Sequence, residues 1–254
     1  MGKIISVVNQ KGGVGKTTTA VNLAAGVGLL GKKVLIIDAD PQGNTTSGFG
    51  INKKEVTFSS YNLLVGGCKA EQAVIHTKYQ NVDVIPASMD LAASEIELAN
   101  LEKRHEKLKL AMAIERDKYD FIFIDCPPSL GLITINALCA SDTFMVPIQC
   151  EYYAMEGLSQ LISTVRQIKR LYNDSLELEG VVLTMYDGRL NLTHQVVNEI
   201  KKYFALKLYS TPIPRGVRLS EAPSFGMPIQ YYDKRSKGAD AYNKLAKEFI
   251  KRNR

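Results

Sequence analysis

The sequence predicts an α/β fold: a mainly parallel, twisted sheet covered by helices on both faces. Three observations carry that expectation. Strand-length apolar runs alternate with helix-period segments along all 254 residues. The runs are apolar throughout rather than alternating, as strands buried on both faces are. A glycine-rich loop joins the first strand to the first helix. Taken in order, residues 3–8 (Ile4-Ile5-Ser6-Val7-Val8) form the first strand and residues 16 to about 30 the first helix. Strands follow at 33–38 and 82–86, then a broken helical stretch over 91–117 and a strand at 121–125. A helix at 132–140, a strand at 143–149, a helix at 154–172 and a strand at 180–185 come next, with helices at 192–204 and 239–251 closing the chain. No repeat, low-complexity tract or linker divides it, so residues 1–254 read as a single domain.

Composition excludes several function classes. Hydrophobic residues make up 45% and charged residues 23%, a globular balance rather than a disordered one. No apolar run approaches the length of a spanning helix, and the N-terminus lacks the apolar region and cleavage site of a secretory signal. Gly2 and Ser6 fit a myristoylation pattern, but the segment reads better as a buried first strand. Cys68, Cys126, Cys139 and Cys150 form no CxxC pair, which argues against zinc and redox motifs; two of them lie in apolar stretches as small core residues, and a reducing cytoplasm is expected.

The net charge of +6 is uneven. Residues 1–200 carry 19 basic and 22 acidic side chains, and residues 201–254 carry 13 and 4. A near-neutral body with a basic last fifth suits a polyanionic partner, nucleic acid or an anionic membrane surface; a solvated basic surface is the plainer alternative.

The segment richest in chemistry is Asn9-Gln10-Lys11-Gly12-Gly13-Val14-Gly15-Lys16-Thr17-Thr18. Gly15-Lys16-Thr17 fits the end of a phosphate loop, although its first glycine position is Gln10 and the glycines fall at 12 and 13. Gly12, Gly13 and Gly15 let backbone N–H groups of the Lys11–Thr18 stretch, Val14 included, turn toward phosphate oxygens at a helix N-terminus. Lys16 can reach the β- and γ-phosphates, and the Thr17 hydroxyl can ligate Mg²⁺.

Lys11 is a second lysine in the loop, and K-G-G-x-x-K-[ST] resembles the deviant Walker A signature of the ParA/MinD superfamily. The resemblance runs from about residue 1 to 242. Asp38-Ala39-Asp40-Pro41-Gln42-Gly43-Asn44 is similar to the family's switch I segment, and Phe121-Ile122-Phe123-Ile124-Asp125-Cys126-Pro127-Pro128-Ser129 to its Walker B strand and switch II. Gln149-Cys150-Glu151-Tyr152-Tyr153-Ala154 and Arg218-Leu219-Ser220-Glu221-Ala222-Pro223-Ser224 look like the chromosomal ParA (Soj) subgroup. The resemblance implies a P-loop NTPase that hydrolyses ATP with Mg²⁺. Two subunits would sandwich their nucleotides, with Lys11 crossing to the partner's phosphates as an arginine finger does elsewhere.

By the same resemblance, Asp40 polarises the attacking water and Asp125 orders Mg²⁺. Two aspartates within three residues at a strand end are candidates for positioning water; the family's pattern favours Asp40 and leaves Asp38 to support Mg²⁺ or the loop. Glu151 resembles a residue that reaches the partner's nucleotide. Met185, Pro212, Pro214 and Arg215 match the region against which adenine sits, though proline and methionine serve equally as core or turn residues. Gly216 departs from the asparagine expected in close relatives.

Three relatives of this ATPase differ in partner. The cysteines do not sit where iron-protein types hold a cluster. A membrane-surface ATPase of MinD type would need an amphipathic tail; Tyr242, Leu245, Ala246, Phe249 and Ile250 share a face, but few residues remain beyond it, so a closing helix packed on the sheet is expected. DNA remains. Arg189 and Arg218 match positions where Soj-like proteins contact DNA, and Lys201, Lys202, Arg235 and Lys237 widen the patch. Without a helix-turn-helix or zinc-finger pattern, contact with phosphate rather than bases is expected. The resemblance thus implies a nucleoid-associated partition ATPase of chromosome or plasmid, dimeric with ATP and stimulated by a ParB-type centromere-binding partner.

Overall fold

The computed structural model describes residues 1–151 and 154–254. The strands are β1 (Lys3–Val7), β2 (Val34–Asp38), β3 (Ile75–His76), β4 (Val82–Ile85), β5 (Phe121–Asp125), β6 (Thr143–Gln149) and β7 (Glu177–Thr184). The helices are α1 (Lys16–Leu29), α2 (Asn44–Gly48), α3 (Ser60–Val65), α4 (Ala70–Ala73), α5 (Ser94–Ala99), α6 (Lys107–Met112), α7 (Leu132–Ala140), α8 (Ala154–Leu171), α9 (Asn191–Phe204), α10 (Val217–Glu221), α11 (Ile229–Tyr232) and α12 (Lys237–Arg252). One sheet forms in the order β3-β4-β2-β5-β1-β6-β7; every pairing is parallel except that of the two-residue edge strand β3 with β4. Each predicted strand is found; those at 121–125 and 143–149 coincide with the expectation, and the ends of the others differ from it by at most three residues. The 91–117 stretch resolves into α5 and α6 between two short 3-10 segments, Met89–Ala92 and Glu115–Lys118, and the small elements α2, α3, α4, α10, α11 and β3 are additions.

The sheet divides the core by strand periodicity. Ile4, Leu35, Ile37, Ile122 and Ile124 pack under α5 to α9, whereas Ile5, Val7, Ile36, Phe121 and Phe123 pack against α1 and α12. The strands' final residues inherit that alternation. Asp38 and Asp125 end β2 and β5, lie opposite each other in register, and share the parity of the residues that face α1. Two carboxylates are therefore delivered to the carboxyl edge of the sheet, beside the loop that opens α1, where open α/β sheets hold their ligands.

Helix α12 completes the second core. Tyr242, Leu245, Ala246 and Phe249 are buried, and Phe249 meets Phe121 and Phe123 at ring-centroid distances of 5.0 and 5.4 Å. Beyond it, the Asn253 amide donates to Glu179 at 2.8 Å, and Glu179 also takes Lys3 and the Thr143 hydroxyl. The amphipathic face is thus consumed by packing, as expected for a closing helix. Among the described residues no helix is long and apolar enough to cross a membrane. Truncating Phe249 to alanine should cost about 3–5 kcal/mol of stability, read as a lowered denaturant midpoint with an unchanged slope.

Cys126, Cys139 and Cys150 are buried and Cys68 is half-buried, so three rather than two serve as core residues. All are free thiols, and burial pushes each upward from the ordinary thiol range.

Candidate functional site

The loop between β1 and α1 is shaped by its glycines. Gly13 and Gly15 have φ of 73° and 86°, the left-handed region that side chains disfavour, and Gly15 caps α1 without a side-chain hydrogen bond. No acidic residue occupies the first turn of α1, so its N–H groups and partial positive charge are left for an incoming anion. The loop is held from outside. The Thr184 hydroxyl at the end of β7 donates to the Val14 carbonyl at 2.7 Å, and Asn9 donates to the Pro147 carbonyl at 2.8 Å while accepting from the Lys11 N–H at 3.0 Å.

Lys16 is 7% exposed, and its ammonium donates to the Lys11 carbonyl at 3.2 Å. Desolvation lowers its pKa, opposed by the negative charges of Asp125 and Asp40. The carboxylates have separate partners. Asp38 accepts from the Thr46 N–H and hydroxyl, both at 2.7 Å, and from the Asp40 N–H at 3.2 Å. Its hydrogen bonds therefore go to residues 40 and 46 of the segment that follows β2. Asp40 is 8% exposed and takes the Gln42 N–H at 2.9 Å. Asp125 takes the Thr45 hydroxyl at 2.8 Å on Oδ2, but its Oδ1 is buried with no hydrogen-bond partner among the described residues. The Thr17 hydroxyl stands beside the same carboxyl.

A buried, unpartnered carboxylate oxygen next to a hydroxyl is a donor set that fits Mg²⁺, which favours oxygen ligands and completes its shell with water and phosphate. Among the described residues no group of three or more His, Cys, Asp or Glu side chains forms a metal cage. Burial above all pushes the Asp38 and Asp125 carboxyls up to about 6 and about 7, helped at Asp38 by the charge of Asp40 and at Asp125 by the charges of Asp38 and Asp40. Between pH ~4 and ~7 the native state therefore holds protons that the unfolded chain has released, and stability falls as pH rises through that window. The ligand-free protein should melt at higher temperature at pH 5.5 than at pH 8, and Asp125→Asn should flatten the difference.

A cavity of about 810 Å³ opens over the start of α1. Its lining brings Gly15, Thr17 and Thr18 together with Met185, Pro214, Arg215 and Gly216, and includes Asn44 and Leu219. Met185 has a φ of 48°, unusual for a long side chain, and Tyr186 donates its N–H to the Ile213 carbonyl at 2.9 Å. The end of β7 is thereby tied to the 212–216 loop. Pro212 does not line the cavity. Glu151 lies away from it too, ion-paired with Lys11 at the exposed rim. Tyr152 and Tyr153, in the segment similar to the Soj subgroup, fall outside the described residues.

The expected DNA contacts are exposed but not all free. Arg189 is held by Asp187, Arg218 by Glu221 at 2.9 Å, and Lys202 by Glu199 at 2.6 Å. Lys201 sits in the last turn of α9, and Arg235 and Lys237 flank Ser236, the N-cap of α12. Sequence reasoning missed Thr45, Thr46 and Thr184. The first two follow the switch motif directly and could have been found there; Thr184 carried no local signal.

Comparison with known proteins identifies the family. The AAA domain family matches residues 2–178. The chain is 56% identical over 248 residues to the sporulation initiation inhibitor protein Soj of Bacillus subtilis, covering 98% of each. It is 47% identical over 252 residues to the chromosome partitioning protein ParA of Myxococcus xanthus, covering 99% of this chain and 89% of that one. Among solved structures, the cobyrinic acid a,c-diamide synthase of Mycobacterium smegmatis, with bound ADP and magnesium, superposes with a TM-score of 0.86 at 33% identity, covering 99% and 95%. With its phosphate loop, its paired aspartates and these full-length relatives, the chain belongs to the Soj/ParA family of chromosome-partitioning ATPases.

Proposed function

We propose that the protein works as a DNA-partitioning switch in the cytoplasm: ATP with Mg²⁺ closes two copies into a sandwich, the sandwich binds DNA without sequence preference, and hydrolysis releases it. The observation that carries this reading is the convergence of Lys16, Asp40 and Asp125 on the mouth of the phosphate loop, with one Asp125 oxygen unpartnered. The backbone N–H groups of Gly12 to Thr18 and the Lys16 ammonium hold the β- and γ-phosphates. Thr17 and Asp125 would hold Mg²⁺, which supplies charge neutralisation at the phosphates when bound. Asp40 orients the water that attacks the γ-phosphate, while Asp38 keeps the switch segment in place through Thr46. Met185, Pro214 and Arg215 enclose the base. Lys11 leaves Glu151 and reaches the partner's phosphates.

Binding to DNA falls to Arg189 and Arg218, widened by Lys201, Lys202, Arg235 and Lys237. Single patches of this kind bind at roughly 10⁻⁴ to 10⁻⁶ M, and pairing two on one dimer raises avidity by about 10²–10⁴ without a new contact. A ParB-type protein is the stimulating partner. Arg189→Glu or Arg218→Glu should keep ATP-driven dimerisation, read by light scattering, and lose retention of a random-sequence duplex at moderate salt. Unchanged retention by both variants would remove these arginines from the DNA face.

A further inference from the structure

Two arginines given to DNA above are already occupied by carboxylates of their own chain, and the Arg189 pair is the more complete. Arg189 donates Nε to Asp187 Oδ1 at 2.8 Å and an Nη to Oδ2 at 2.6 Å, a two-point fork, and its backbone N–H donates to Oδ1 at 3.1 Å. Both carboxylate oxygens are spent on this one residue. The Arg218 carboxylate is shared by contrast: Glu221 also takes the Tyr232 hydroxyl at 3.2 Å. A guanidinium engaged through two donors on a carboxylate presents the same fork that a phosphate would occupy. Asp187 and a phosphate oxygen therefore compete for one geometry.

The pair also sits in a fixed place. Residue 187 is two positions beyond Met185, which lines the nucleotide cavity, and Tyr186 between them is bonded to the Ile213 carbonyl. Gly188 packs on the Tyr186 ring, where a Cβ would come within 3.2 Å. The turn that carries the ion pair is thus anchored to the end of β7, so Asp187 is delivered to Arg189 by the backbone rather than by chance encounter of two long side chains. The Asp187 carboxyl lies well below the usual carboxylate range, at about 2, because Arg189 hydrogen-bonds and faces it.

We infer that Asp187 is a built-in competitor for DNA phosphate at Arg189, an affinity limiter that keeps the DNA-bound state easy to leave. This rests on the DNA-binding reading above. Arg189 is 89% exposed at its side chain, so the pair is screened by solvent and its hold is modest. Freeing the arginine should tighten DNA binding about twofold to fivefold. It should also steepen the salt dependence, by about 0.9 in the log–log slope for each arginine released to a phosphate.

The test is a double-mutant cycle on the full chain with ATP and Mg²⁺, measuring retention of a labelled random-sequence duplex from 50 to about 200 mM salt. Asp187→Asn keeps an oxygen for the Arg189 N–H, and with it the local turn, but gives up the charge. The expected result is tighter binding and a steeper slope for Asp187→Asn, with both gains gone when Arg189→Gln is added. Equal affinity and slope in wild type and Asp187→Asn would overturn the inference. So would a gain that persists without Arg189, because the aspartate would then act only as a general negative charge. In either case retention by wild type leaves the DNA-binding reading standing, whereas failure of wild type to retain DNA at all removes both.

Discussion

Lys16→Ala should abolish ATP binding under conditions that saturate the wild type. The side chain is buried at the mouth of the loop, where desolvation lowers its pKa and the charges of Asp125 and Asp40 oppose the loss of its proton. Among the described residues its ammonium hydrogen-bonds the Lys11 carbonyl alone, at 3.2 Å, a long contact that an incoming phosphate oxygen can replace with a shorter, charge-assisted one. Without the ammonium, triphosphate would meet the two aspartates with no fixed cation between them. Removing one partner of such a buried pair costs about 3–5 kcal/mol, which corresponds to a loss of affinity of at least about a hundredfold. Lys16→Gln, which keeps donors and length but not charge, should fall nearly as far. Titration calorimetry with ATP and Mg²⁺ measures both, and near-normal affinity in either would refute the role.

How much of this was legible in the sequence depended on how far apart the cooperating residues lie. The phosphate loop is contiguous, and Gly13 and Gly15 force its shape wherever it occurs, so residues 9–18 could be read directly. Strands β1, β2, β5, β6 and β7 are buried on both faces, and runs such as Phe121-Ile122-Phe123-Ile124 announced them. Residues 44–118 were harder. Helices α2 to α6 have four to six residues, fewer than two turns, too short for a 3.6-residue period to repeat. The two-residue strand β3 exists only because β4 is beside it. At the site, the same distinction recurs: the Asp38–Asp125 register pair joins positions 87 residues apart, and nothing local marks it. Charge pairing is legible only when neighbours are weighed together: the resemblance marks Arg189 and Arg218 as DNA contacts, yet Asp187 stands two residues from the first and Glu221 three from the second, near enough to pair with them.

Asp40→Ala should separate binding from turnover. Asp40 carries no phosphate contact of its own in the proposed site; its carboxylate faces the loop mouth near Lys16, and its Oδ1 holds the Gln42 N–H in the turn before α2. ATP affinity should therefore stay within about an order of magnitude, since Lys16 and the loop N–H groups remain in place. Hydrolysis should fall by about 10²–10⁴, the usual contribution of a side chain positioned on the reacting water. A structural explanation predicts something else. If Asp40 served only to shape the turn, Asp40→Asn would restore activity, because asparagine keeps the acceptor for the Gln42 N–H. If its charge acts on the water, Asp40→Asn should be as slow as the alanine variant while its melting temperature matches wild type. Single-turnover phosphate release at saturating ATP reads the chemical step directly, and wild-type release by Asp40→Ala would take the water-positioning role away from this residue. Under the proposed cycle the slow variant has a second signature: loaded with ATP, it should remain on DNA after the wild type has let go.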